Sequence, residues 1–141
     1  TTKFTSHLKY AEAEAREKEW GIWQKSSHSC APCIELKQIE NGEGKEDCNP
    51  GIEFILFENT CSVPCNLDQW NVKDDASHIY TFKKITINPT ETLKLYSGKG
   101  QDSEGKLYFQ NKDSCASIWN DAGDSIFLRD EKGRLVLYDH Y

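Results

Sequence analysis

The chain has 141 residues, 37% of them hydrophobic, and a net charge of −6, which is room for one ordinary domain and a fragment of a second. The acidic balance argues against a general nucleic-acid footprint, which needs clustered Lys and Arg. No apolar run approaches the roughly 20 residues that span a bilayer, and the opening "TTKFTSHL" carries no signal-peptide pattern.

The first predicted element is a helix over residues 4–19. Phe4, Leu8, Ala11 and Ala15 recur at helical spacing and leave a narrow apolar stripe. Glu12, Glu14, Arg16, Glu17, Lys18 and Glu19 cover the remaining surface, and Ala, Glu and Lys are strong helix formers. Gly21 is placed as the stop. Trp20, Ile22 and Trp23 then make a bulky apolar knot, and "QKSSHS" (Gln24 to Ser29) reads as a polar linker without pattern.

From Cys33 onward the period changes from helix to strand. "CIELKQI" alternates in its first half, and "IEFILFEN" (Ile52 to Asn59) is apolar on both faces, as a central strand is. "WNVKD", "HIYTF" and "TLKLYS" alternate with β-branched and aromatic residues, and "LYF", "ASIW", "SIFLRD" and "RLVLYD" follow. Turn signals separate about eight or nine such runs, the pattern of an all-β sandwich or barrel. Asn120 with Gly123, and Asp130 with Gly133, stand at the first and fourth places of type I turns. The second is flanked by "SIFLR" and "RLVLY", which makes it a hairpin; Pro89 marks another turn. The expectation is a two-sheet sandwich over residues 33–138 that buries Trp70 and Trp119.

Two stretches resemble known families. Residues from Glu53 to Tyr138 resemble the lamin tail domain family through four ordered matches: Asn59 ending a strand, Leu67 with Trp70, Trp119-Asn120 with Gly123-Asp124, and Leu128-x-Asp130-x-x-Gly133. The polar, Cys-containing insertion "ENGEGKEDCNPG" departs from that pattern. The resemblance implies an immunoglobulin-like β-sandwich and no catalytic residues. "AEAEAREKEWGIW" is similar to the last helix of staphylococcal-type thermonucleases, whose metal-binding carboxylates and arginines precede this helix. Residues 1–27 then read as the end of a nuclease-like domain plus a linker, and 28–141 as a lamin-tail module appended to it. The chain would carry the module and not the chemistry.

The six cysteines are Cys30, Cys33, Cys48, Cys61, Cys65 and Cys115. "CAPC" and "CSVPC" form two close pairs with 27 residues between them. Four thiolates so spaced suit tetrahedral Zn²⁺, and an even count in a small, extracellular or cell-surface domain equally suits disulfides. Spacing alone leaves both open. Either way, if the strands beside Cys33 and Cys61 are antiparallel neighbours, Cys30, Cys33, Cys61 and Cys65 gather at one end of the sandwich. A redox-active "CAPC" is disfavoured, because it precedes a strand rather than a helix N-terminus that would lower a thiol pKa. His28 is read as a loop histidine rather than a ligand, and Asp74-Asp75 and "NDAGD" as turn chemistry rather than a Ca²⁺ loop. No nucleophile-and-base set or phosphate loop is visible.

One basic surplus stands out. Six Lys face three acids between Lys83 and Lys112, so Lys83, Lys84, Lys94, Lys99 and Lys106 are the candidate contacts for weak, non-specific nucleic-acid binding. A protein or surface partner is the favoured alternative, with a nuclease domain in the parent chain.

Overall fold

The computed structural model describes residues 2–18, 21–40, 53–75, 78–110 and 125–140. The single α-helix among them, α1 (Thr2–Glu17), falls where alanine and glutamate predict it. An exposed Lys18–Glu14 pair at 3.0 Å supports its last turn. Ten strands follow: β1 (Ile34–Glu40), β2 (Phe54–Asn59), β3 (Cys65–Asn66), β4 (Asn71–Lys73), β5 (Ile79–Thr81), β6 (Thr86–Ile87), β7 (Thr92–Tyr96), β8 (Lys106–Tyr108), β9 (Ser125–Arg129) and β10 (Leu135–His140). Trp119, the Asn120–Gly123 turn, Cys48 and Cys115 lie outside the described residues.

The strands build one sheet in the order β1-β2-β7-β8, a second in the order β10-β9-β4-β5, and a two-stranded β3-β6 ribbon. Side-chain alternation explains why the sheets face each other. Ile55 and Phe57 on β2, Leu93 and Leu95 on β7, and Leu107 on β8 point inward from the first sheet. Val72 on β4 and Ile126 and Leu128 on β9 meet them from the second, with Trp70 and Phe82 filling the gap. Each such side chain, fully buried, stabilises the fold by about 1.5–3 kcal/mol. β2, with apolar residues on both faces, takes the central place between β1 and β7. β9 is apolar on both faces too: Phe127 points away from the core and is covered by Trp23, Leu135 and Tyr138.

Two features depart from simple alternation. β7 and β8 run parallel although only residues 97–105 join them. The connection folds tightly on itself: Gly98 and Gly105 have positive φ, and a Cβ on Gly100 would stand 2.4 Å from the Tyr108 ring. Only glycine admits that approach. The β9–β10 hairpin, by contrast, follows its sequence. Asp130 Oδ1 accepts the Lys132 and Arg134 amides at 2.8 and 3.0 Å, and Gly133 takes φ 79°, the bulged turn its glycine position favours.

Candidate functional site

The register of β1 and β2 places the cysteines. Ile34 sits opposite Asn59, so Cys33, one residue earlier, and Cys61, two residues later, meet at the same end of the sheet. Pro32 holds Cys30 to Cys33 in a short 3₁₀ turn, with the Cys33 amide donating to the Cys30 carbonyl at 3.0 Å. β3 then brings Cys65 beside Ile87 of β6. The sulfurs are joined as Cys30–Cys65, with Cα atoms 5.8 Å apart, and Cys33–Cys61, at 5.1 Å, both within the range a disulfide permits. The two pairs are thus tied to each other as bridges. Cys30, Cys33 and Cys65 are buried; Cys61 is half-buried.

Asn59 organises this end. It is fully buried, its Nδ2 donates to the carbonyls of Val63 and Ile87, each at 2.8 Å, and its Oδ1 accepts the Cys61 amide at 3.0 Å. All three arms of one amide fix the loop between the two bridged cysteines. His28 is committed as well: its Nδ1 accepts the Cys30 amide at 3.0 Å, and its ring meets Trp70 edge-on at 5.1 Å.

The segment read as a linker is packed. Leu135 donates its amide to the Gln24 carbonyl, and Ser26 donates to the Leu135 carbonyl, at 2.8 and 2.7 Å, so Lys25 extends the second sheet as a parallel neighbour of β10. Trp23, 4% exposed, packs tilted against Phe127 and edge-on against Tyr138, at 5.6 and 5.1 Å; Ala15 of α1 joins this cluster. Ser26 donates its hydroxyl to Asp130. Burial alone would raise the Asp130 carboxyl. The Ser26 hydroxyl and the Arg134 and Lys132 amides outweigh burial and hold it below the ordinary value. No sequence pattern announced this joint, because its partners on β9 and β10 stand more than a hundred positions away; the apolar knot of Trp20, Ile22 and Trp23 was the one signal.

The lysines fall into two groups. Lys94 and Lys106 are register partners on the outer face of β7 and β8, with Lys94 Nζ 4.7 Å from the Phe54 ring centre, and Lys99 lies on the connection between those strands. Lys83 and Lys84 stand on the turn between β5 and β6. Lys84 lines a recess together with Glu91 and Glu104, and Asp68 accepts its amide at 2.8 Å. Asp74, 1% exposed, binds the His78 ring at 2.6 Å and the His78 amide at 3.1 Å, which is loop capping.

Two facing four-stranded sheets around one apolar core, with a disulfide-closed end and a strand-like lead-in, define an immunoglobulin-like β-sandwich. The lamin tail domain family model matches residues 31–140. The chain belongs to that family, whose members share this non-catalytic fold. No curated protein matches the chain. Among the described residues, no helix is long and apolar enough to cross a membrane.

Proposed function

We propose that this lamin tail domain is a binding module that holds a thermonuclease-like domain against a protein or surface partner outside the cell. The observation that carries the reading is the joint: Trp23, Gln24 and Ser26 dock the segment after α1 onto β9 and β10. A module fastened in this way sets the orientation of whatever precedes it. The likeness of α1 to a nuclease's last helix favours a nuclease domain as that neighbour. Two disulfides fit an oxidising compartment. The test compares the parent protein with and without residues 28–141. Loss of retention at the partner surface, with turnover of a short free substrate unchanged, supports the reading. Loss of thermal stability alone means that the domain is a structural cap.

A second reading, weak nucleic-acid contact, rests on the adjacency of Lys94 and Lys106 beside Lys99. Binding by this face falls with salt at a log–log slope of about −0.9 per phosphate neutralised on duplex DNA. It is lost on Lys94→Glu with Lys106→Glu, whereas Lys83→Glu with Lys84→Glu, on the β5–β6 turn, reduces it less. An anisotropy titration at low ionic strength that shows no binding removes this reading.

A further inference from the structure

We propose that reduction of both bridges converts Cys30, Cys33, Cys61 and Cys65 into a tetrathiolate site for a thiophilic divalent cation, Zn²⁺ first among them. The inference is independent of what the module binds.

Three observations carry it. The sulfurs of Cys30, Cys33 and Cys65 all lie within 4.8 Å of one another, and the fourth, on Cys61, is bonded to Cys33. In a tetrahedral site with Zn–S bonds of about 2.3 Å, sulfurs stand about 3.8 Å apart; Cys30, Cys33 and Cys65 are already near that spacing, and Cys61, outside that group, must swing in once its bridge to Cys33 opens. Next, the backbone around the sulfurs is held by bonds that survive reduction. Cys33 donates to Cys30, and Thr60 donates to Cys33, at 3.0 and 2.8 Å; Asn59 pins the Cys61–Cys65 loop at both sides; and Cys65 is paired with Ile87. Last, the donor set is all sulfur. The neighbouring imidazole, His28, is turned away with its Nδ1 on a backbone amide. Thiolates select Zn²⁺ over Ca²⁺ and Mg²⁺.

The chemistry balances. Each bridge takes two electrons and two protons from a dithiol, which becomes a disulfide itself; the four resulting thiols release four protons as the cation binds. One constellation thus closes the same end of the sandwich covalently when oxidised and by coordination when reduced.

The test uses the full chain carrying Cys48→Ser and Cys115→Ser, so that only these four cysteines remain. The protein is reduced with a trialkylphosphine and titrated with Co²⁺, then Zn²⁺. The expected result is one metal per chain by native mass spectrometry, a thiolate-to-cobalt charge-transfer spectrum that Zn²⁺ abolishes, and no uptake by the oxidised protein. Cys61→Ser weakens binding by more than the roughly tenfold that loss of an outer-shell partner costs. Absence of uptake, or uptake indifferent to Cys61→Ser, overturns the proposal. If the reduced chain unfolds without metal, recovery of its β-sheet circular dichroism on adding Zn²⁺ supports the site, and failure to recover it overturns the site.

Discussion

The cysteine end and the N-terminal joint fasten this sandwich at different places and by different means. At the first, two covalent bridges and the Asn59 amide fix a loop whose side chains are small. At the second, nothing is covalent: an indole covers an outward-facing Phe127, and one buried carboxylate receives a hydroxyl and two amides. The contrast follows from what each stretch can bury. "TCSVPCN" leaves its one branched apolar side chain, Val63, exposed, so cross-links and hydrogen bonds do the holding. "WGIW" offers a great deal of apolar surface, so packing is sufficient.

The largest expected effect breaks the first region. The bridges span 28 and 35 residues, and a loop of that size restricts the unfolded chain by about 3–4 kcal/mol. Cys33→Ser with Cys61→Ser, followed by denaturant titration in the absence of metal, lowers the midpoint accordingly; an unchanged midpoint means that the bridge contributes nothing. Asn59→Ala comes next. It leaves the buried carbonyl of Ile87, the carbonyl of Val63 and the Cys61 amide without their partner, a loss of about 3 kcal/mol with both disulfides still formed by mass. Trp23→Ala attacks the second region. It costs about 3 kcal/mol, the lower end for a core tryptophan, and hydrogen exchange rises first at Ser26 and Leu135 rather than in β2 and β7.

Asp130 gives the joint a pH dependence. Its carboxyl is depressed in the folded chain, so the unfolded state protonates first, near pH 4. The stabilisation is complete above that value and drains away as pH falls toward the folded value. Asp130→Asn costs about 1–2 kcal/mol at neutral pH and flattens this acid limb; an unflattened limb assigns it to other carboxylates. The smallest effect lies in the Pro89 turn, where Thr90, exposed and β-branched, is held at φ 66°. Thr90→Asn relieves a left-handed conformation that asparagine tolerates better, and raises stability by about 0.5 kcal/mol.

What was legible in the sequence follows the same division. β2 and β7 are readable because their burial alternates over five residues or more, and β9 and β10 because each carries an apolar run beside the Asp130–Gly133 turn. β3 and β6 are two residues each and show no period; they exist because Asn59 and the Cys65 backbone bring them together. Proximity of the four cysteines followed from pairing the strands beside them, but sulfur spacing is the same for a metal and for bridges, so the chemistry was not readable. The parallel β7–β8 pair was hidden because its cause is the space under Tyr108 at Gly100, a tertiary fact. Lys25 beside Leu135 was hidden for the same reason.

That parallel pairing of Lys25 with Leu135 determines how the domain carries a mechanical load. The chain enters along residues 24–26 and leaves along β10, and the two segments point the same way, so tension between the termini slides one past the other. The bonds of Ser26 and Leu135, lying across the pull, are strained together and in shear rather than opened one after another. Once they part, extension of the leading segment stops at Cys30, because Cys30–Cys65 passes the force straight into β3 and bypasses everything between them. A module so wired resists being drawn out from its N-terminal side and yields instead through β9 and β10.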